Sequence, residues 1–167
     1  MITAHITIAE EEASQMIEQG QPTHKVLAHL VNMAEEMMGE MAVSSILVLD
    51  KQGLLRNGAS PRLPYDYLTA IDGLKPNANL GTCAAVAATG KMVITSDFLE
   101  DKKWAELKHL PLALGFVSAW SIPIKNPGGK VLGTFGTYFR EKRQPSQPEI
   151  DLVIALAAIA AKALDPL

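Results

Sequence analysis

The stretch VSAWSIPIKNPGGKVLGTFGTYF, residues 117–139, decides the fold because two strand-like segments flank a strong turn signal. The segments VSAWSIPI and VLGTFGTYF are rich in β-branched and aromatic residues, which are enriched in strands. The residues between them, Asn126-Pro127-Gly128-Gly129, are types that favour turns. The pattern therefore predicts a β-hairpin.

A second hairpin is predicted upstream. AVSSILVLD (42–50) alternates with a period of two, and Lys51-Gln52-Gly53 forms a turn signal before LLRNGA (54–59). MVIT (92–95) adds a further short strand. About five strands are expected in total.

Helices are predicted before, between and after these strands. Thr7-Ile8-Ala9-Glu10 forms a capping-box pattern, which predicts a helix that runs to about Gln19 and stops at Gly20. A second helix is predicted from Pro22-Thr23 to Gly39, since apolar residues recur there at spacings of three and four.

The later helices are marked by their ends. A helical turn is predicted over residues 64–71, a short helix between Gly81 and Gly90, and a capped short helix from Asp101. Ser146-Gln147-Pro148-Glu149 is a second capping box, and it opens a long C-terminal helix.

This order predicts an α+β fold, with a mainly antiparallel sheet, terminal helices on one face and the middle segments on the other. The C-terminal helix is apolar nearly all round, whereas a helix that covers a sheet needs one apolar stripe. Its second stripe should meet either the N-terminal helices or a second subunit. Both alternatives stay open at this point, and we expect a homodimer through the terminal helices.

Bulk composition excludes several classes of protein. The net charge of −3 provides no broad basic field for nucleic acid. One cysteine excludes an internal disulfide and an all-cysteine zinc site. The N-terminus lacks the pattern of a signal peptide, and the C-terminal apolar stretch is interrupted by Asp151 and Lys162. We therefore expect a soluble, cytoplasmic protein without membrane or nucleic-acid partners.

The most informative segment for function is GTCAAVAATG, residues 81–90. Gly81 and Thr82 precede a helix whose first amides favour an anion, although close packing of the alanines on the sheet, with Thr82 as the helix cap, is the favoured explanation. Cys83 has no histidine nearby in sequence to act as a base, so a small buried residue is favoured over a nucleophile.

Two tryptophans are candidates for the wall of a pocket. Trp104 follows an acidic turn that begins at Asp97, where helix capping explains the carboxylates better than a metal site does. Such a tryptophan can be a lid or a simple anchor. Trp120 lies between two serines on a predicted central strand, where it is either core or pocket wall.

The ordered motifs resemble the GAF domain family of small-molecule sensor modules, in the branch found in bacterial sensor kinases and cyclases. The resemblance is carried by LGTCAAVAATGKMVITSDFLEDKKWAEL (80–107), GFVSAWSIPI (115–124) and GGKVLGTFGTYFREKRQPSQPEIDLV (128–153). It implies a central antiparallel sheet of five or six strands and a sensor domain over residues 21–167. Residues 1–20 then form an additional N-terminal helix with a possible role in dimerisation.

The resemblance also implies a ligand pocket on the sheet face opposite the terminal helices. We expect its walls to come from the helix start, the acidic loop and the Trp120 strand. The candidate ligand-binding residues are Leu80, Gly81, Thr82, Cys83, Ala84, Asp97, Trp104 and Trp120. The expected ligand is small and polar or anionic, and the expected partner is a histidine kinase, a cyclase or another output domain.

The known chemistries of the family are each disfavoured by particular residues. The Asn-Lys-Phe-Asp-Glu set of cyclic-nucleotide-binding members is not found, and Ala84 stands where bilin-binding members usually have histidine after the cysteine. A haem site has only His109 to draw on. A methionine sulfoxide reductase of this fold resolves its sulfenic acid with a second cysteine, which this sequence lacks. We therefore predict a non-catalytic sensor without a covalent cofactor or metal; the alternative is a ligand-free dimerisation module.

Overall fold

A computed structural model describes residues 2–165 of the protein, except the side chain of Ile2. The helices are α1 (Ile2–Glu18), α2 (Thr23–Met38), α3 (Tyr65–Ile71), α4 (Cys83–Thr89), α5 (His109–Ala113) and α6 (Gln147–Leu164). The strands are β1 (Ala42–Leu49), β2 (Leu55–Ala59), β3 (Val93–Thr95), β4 (Ser118–Lys125) and β5 (Val131–Phe139). A short 3₁₀ helix covers Lys102–Trp104.

The five strands form one antiparallel sheet in the order β2-β1-β5-β4-β3. The two predicted hairpins are both present, β1 with β2 and β4 with β5. They meet at the centre of the sheet because β1 pairs with β5. The predicted α+β class is confirmed.

Close approach of β1 and β5 requires glycine at one point. A Cβ placed on Gly133 would lie against the carbonyl oxygen of Leu47, a backbone atom that cannot rotate away. Backbone atoms of the neighbouring strand β1 therefore fill the space above this glycine.

The sheet separates two apolar clusters. The first packs α1, α2 and α6 against one face and includes Ile46, Trp120 and Phe135. The second lies on the opposite face, beneath α3, α4 and the segment around Trp104, and includes Tyr138. The terminal helices therefore share one face, as predicted, and the short middle elements cover the other.

Both N-terminal helices cover the second apolar stripe of α6. α6 contacts α1 and α2 as well as β4, and Ala9 and Ala13 of α1 are fully buried. Ile154 remains 53% exposed. The protein's own helices therefore cover part of this stripe, and the expected homodimer stays a prediction.

The start of α1 was wrongly predicted. The helix begins at Ile2 rather than at Thr7, and the Thr7 hydroxyl donates to the carbonyl of Thr3 at 3.1 Å instead of capping a helix. A threonine inside a helix can bond the carbonyl four residues earlier, so the capping pattern is not decisive. Packing of Ile6 on the helical core also favours the longer helix.

The second capping box is present as predicted. Ser146 Oγ accepts from the backbone N–H of Glu149, and the Glu149 carboxylate accepts from the N–H of Ser146 at 2.8 Å. Within residues 2–165, no helix combines the length and apolarity needed to cross a bilayer.

Candidate functional site

A small cavity lies between the sheet and α4, and we call it the α4 cavity. Its volume is about 20 Å³, which is room for one water molecule. The wall residues are contributed by the sheet, α3, the start of α4 and the 3₁₀ segment. They include Leu47, Tyr67, Gly81, Cys83, Trp104 and Tyr138.

α4 can lie close to the sheet because small residues stand beneath it. A Cβ on Gly136 would come within 3.0 Å of Cys83 Sγ, and Ser121 lies beside the same thiol. Ala84, Ala85 and Val86 are buried against the sheet. The alanine-rich sequence of α4 thus serves close packing, while its first residues line the cavity.

The Cys83 thiol is held in a hydrogen-bond chain that ends on the backbone. Cys83 Sγ donates to Ser121 Oγ at 3.5 Å, and Ser121 donates to the carbonyl of Phe135 at 3.2 Å. Burial raises the pKa of the Cys83 thiol. Among the described residues, the hydrogen-bond partner of the thiol is a hydroxyl and not a base, so the thiol lacks the activation that a nucleophile needs.

Trp104 closes the cavity and is fastened to the start of α4. Its indole Nε1 donates to Thr82 Oγ1 at 2.9 Å, and the N–H of Gly81 donates to the carbonyl of Lys103 at 2.8 Å. Trp104 is 5% exposed and packs edge-on against Phe98, with ring centroids 4.6 Å apart. We call residues 97–104 the Trp104 lid.

Thr82 connects this lid to the sheet. Its hydroxyl also lies 3.0 Å from the hydroxyl of Thr95 on β3, so it bridges the lid and an edge strand. Thr82 makes no side-chain cap of α4, although it occupies the capping position. Its role is therefore to hold Trp104, which the sequence did not predict.

Two tyrosine hydroxyls meet at the cavity. Tyr67 of α3 and Tyr138 of β5 have their oxygens 2.7 Å apart, and their rings pack edge-on with centroids at 5.8 Å. Burial raises the pKa of both phenols, so both remain neutral at ordinary pH. The two hydroxyls join Thr82 and Cys83 as the polar groups of a mainly apolar cavity.

Five of the eight predicted binding residues line the cavity: Gly81, Thr82, Cys83, Ala84 and Trp104. Leu80 does not line it and packs at the edge of the apolar cluster. Asp97 also lies outside the lining. Its carboxylate accepts from the N–H of Leu99 at 3.0 Å and pairs with Lys142 at 3.3 Å, which organises the lid.

The placement of Trp120 in the pocket wall was wrong. Its side chain is 1% exposed within the helical core, on the face opposite the α4 cavity. The physical reason is the packing of α4, which needs small residues below it. Ala119 and Ser121 supply them, so strand alternation turns Trp120 to the other face.

Sequence inspection missed the two tyrosines. A signal for Tyr138 was available, because it follows Thr134 and Gly136 at a spacing of two on the face that carries Ser121. Tyr67 comes from a helix far away in sequence, and no local pattern pairs it with Tyr138.

Comparison with known proteins agrees with this geometry. The GAF domain family model matches residues 20–165. The chain is a GAF domain. Its two-sided architecture, with the terminal helices and a cavity on opposite faces of the sheet, is what the family resemblance implied.

A curated relative carries a similar segment within a much longer chain. The methyl sulfide methyltransferase-associated sensor of Methanosarcina acetivorans is 32% identical over 160 residues, which is 96% of this chain. The matched part is 16% of that sensor's length.

Two solved structures illustrate how widely the fold is used. The GAF domain of a phosphoenolpyruvate-protein phosphotransferase from Coxiella burnetii has a TM-score of 0.74 at 17% identity, covering 96% of this chain and 92% of that one. The free methionine-R-sulfoxide reductase of Neisseria meningitidis, solved with its substrate, has a TM-score of 0.73 at 15% identity, covering 99% and 89%. At these identities the likeness concerns the fold alone.

Proposed function

We propose that this GAF domain is a non-catalytic sensor that binds a small uncharged molecule in the α4 cavity. The observation that carries the proposal is the lining of the cavity, which contains no ionisable side chain other than neutral phenols and a protonated thiol. Burying a charged ligand there without a partner is costly. This revises the expectation of an anion held by helix amides, since α4 has only seven residues.

Binding a molecule larger than water requires the Trp104 lid to move. The lid is held by the Trp104–Thr82 bond and the Gly81–Lys103 bond, which tie it to two residues that line the cavity, Gly81 and Thr82. A ligand that binds the open state more tightly than the closed state shifts the population toward the open lid. The size of this shift is set by the difference between the two affinities. The residues that line the binding cavity are then also the residues that hold the lid closed.

We propose that the signal leaves through Thr82, β3 and β4. Thr82 touches Thr95 of β3, β3 pairs with β4, and β4 packs against α6. α6 is the C-terminal helix of the described chain and would pass the change to an output domain such as a histidine kinase or cyclase. The sensor name of the relative and its greater length support a signalling role for this domain.

The direct test is a thermal-shift screen of uncharged metabolites against charged ones of equal size. A ligand at one hundred times its Kd adds about 2.7 kcal/mol to the free energy of unfolding. We expect stabilisation by members of the uncharged set and none by the charged set. Stabilisation by anions alone would contradict the proposal.

A second candidate function is a ligand-free dimerisation module. The size of the cavity favours it, because about 20 Å³ accommodates no metabolite in the closed state. Exposed Ile154 on α6 would then lie in a homodimer interface. Light scattering of the wild type and of Ile154→Lys, together with the thermal-shift screen, separates the candidates. A dimerisation module loses its dimer in the variant and is stabilised by no metabolite, whereas a sensor is stabilised by its ligand.

A further inference from the structure

We propose that the hydroxyl pair of Tyr67 and Tyr138 selects the ligand, and that it favours small uncharged molecules with a hydrogen-bond acceptor such as a sulfoxide, ketone or amide oxygen. The inference rests on the proposed function of the α4 cavity as a ligand site. It adds which residues discriminate between ligands and which chemical group they recognise.

The hydroxyl pair has one proton more than its mutual hydrogen bond uses. Two phenol hydroxyls carry two protons, and the 2.7 Å bond between Tyr67 and Tyr138 uses one of them. Among residues 2–165, neither hydroxyl has another hydrogen-bond partner. One O–H donor of the pair therefore remains without an acceptor, and both side chains line the cavity.

The other polar groups of the lining are already engaged. Thr82 Oγ1 accepts from Trp104 and lies against Thr95, while the Cys83 thiol donates to Ser121. With the lid closed, the tyrosine pair is left as the polar contact that the lining can offer. An open lid also frees the Trp104 N–H and the Thr82 hydroxyl, and these groups are the same in every tyrosine variant. A buried donor without an acceptor is costly, so an acceptor on the ligand is favoured there.

The donor stays available over the physiological pH range. Burial raises the pKa of Tyr67 and Tyr138, so neither phenol loses its proton near neutrality. The rest of the surrounding surface is apolar, with Leu47, Ile71 and Leu74 in the lining. A ligand that is complementary to this lining has a small apolar body and one hydrogen-bond acceptor atom.

Dimethyl sulfoxide and dimethyl sulfide are suitable probes because they differ by one acceptor oxygen. The quantity to measure is the ratio of the Kd for the sulfide to the Kd for the sulfoxide, from NMR titrations of the whole chain. A change in cavity size affects the Kd of both probes, so its effect cancels when the ratio is measured in each variant.

The decisive variant is Tyr67→Phe/Tyr138→Phe, which lacks both hydroxyls. We expect the ratio to fall by about two- to tenfold, the value of one hydrogen bond to a neutral acceptor. The single variants Tyr67→Phe and Tyr138→Phe are the matched controls. Each keeps one hydroxyl with one free proton, so the ratio should stay near that of the wild type.

The outcomes separate this inference from the proposed function. If both probes bind and the ratio is unchanged in the double variant, the tyrosine pair does not select the ligand, while the cavity remains a binding site. A single variant that falls as far as the double variant would overturn the proton count. If neither probe gives saturable shifts in the wild type and the screen of uncharged metabolites finds no ligand, the proposed function itself fails.

A measurement on the wild type covers the case in which the double variant does not fold. Sulfoxide bound at the pair should give intermolecular NOEs from its methyl protons to the ring protons of Tyr67 and Tyr138. Binding without these NOEs would overturn the inference.

Discussion

The indole Nε1 of Trp104 donates to Thr82 Oγ1 at 2.9 Å, and this bond closes the cavity on the sheet face opposite the terminal helices. Both residues are buried, with 5% and 3% of their surface exposed. Because Thr82 also touches Thr95, the closed position of the lid is bonded to an edge strand of the sheet.

Thr82→Val should weaken the attachment of the Trp104 lid while keeping the shape of the side chain at position 82. The substitution leaves the buried indole N–H of Trp104 without an acceptor, which costs about 1–3 kcal/mol. We expect the free energy of unfolding to fall by this amount in denaturant titrations, with a red shift in the emission of Trp104.

Thr95→Val is the matched control for this prediction. It removes a hydroxyl from the same chain of bonds but leaves Thr82 to accept from Trp104. The loss should be about 1 kcal/mol, without the red shift. Equal effects in the two variants would show that Thr82 does not hold the lid.

Glu35→Gln should stabilise the protein increasingly as the pH rises above about 4. Burial raises the pKa of Glu35, outweighing the Ser44 N–H bond and the charge of Arg62, which lower it. Above the unfolded-state pKa of about 4.3 the unfolded chain has lost this proton while the folded chain retains it, so wild-type stability falls with pH. The fall ends once the pH passes the raised folded-state pKa.

The measurement is the difference in unfolding free energy between Glu35→Gln and wild type from pH 4 to 8. Glutamine keeps an oxygen that can accept from the Ser44 N–H, which lies 2.9 Å from the Glu35 carboxylate. Glu36→Gln removes a charge from the adjacent, exposed position and serves as control. A rise of the same size in both variants would contradict a special role of burial at Glu35.

Cys83 should behave as an unreactive thiol in the folded protein. Burial raises its pKa, so a disulfide reagent should modify it much more slowly in buffer than in denaturant at the same pH. The unfolded thiol ionises near pH 8.5, so the wild type should lose stability above this pH relative to Cys83→Ala. Rapid modification of the folded protein, or parallel pH curves, would reopen the case for a reductase.

Gly133→Ala should disrupt the junction of the two hairpins. The new Cβ would meet the backbone carbonyl of Leu47, which forces β1 and β5 apart and costs about 1–3 kcal/mol. Gly128→Ala in the β4–β5 turn is the control, since its Cβ would stay 3.4 Å from Asn126 Oδ1. We expect the control to change the free energy of unfolding by less than about 0.5 kcal/mol.

The fold was largely predictable because its signals are local. The turn at residues 126–129, the end of α2 at Gly39 and the capping box at Ser146 each depend on neighbours in sequence. Thr7 shows the limit of such signals. Its hydroxyl donates to the backbone carbonyl of Thr3, four positions earlier, instead of capping a helix.

The site was only partly predictable because it is assembled from distant segments. Gly81 and Trp104 could be found from sequence motifs. The hydrogen bond between the side chains of Trp104 and Thr82 could not, because no spacing in the sequence indicates it. The tyrosine pair joins residues 71 positions apart. The face of Trp120 depends on which face α4 covers, and strand alternation alone leaves that choice open.

The most direct test of a ligand-binding cavity under Trp104 is ¹⁹F NMR of protein labelled with 5-fluorotryptophan. The chain has two tryptophans, and they lie on opposite faces of the sheet, so Trp120 is an internal control. On titration with a small uncharged ligand, we predict a saturable shift of the Trp104 resonance while that of Trp120 stays in place. A stationary Trp104 resonance at saturating ligand, or a shift of Trp120 alone, would contradict the account.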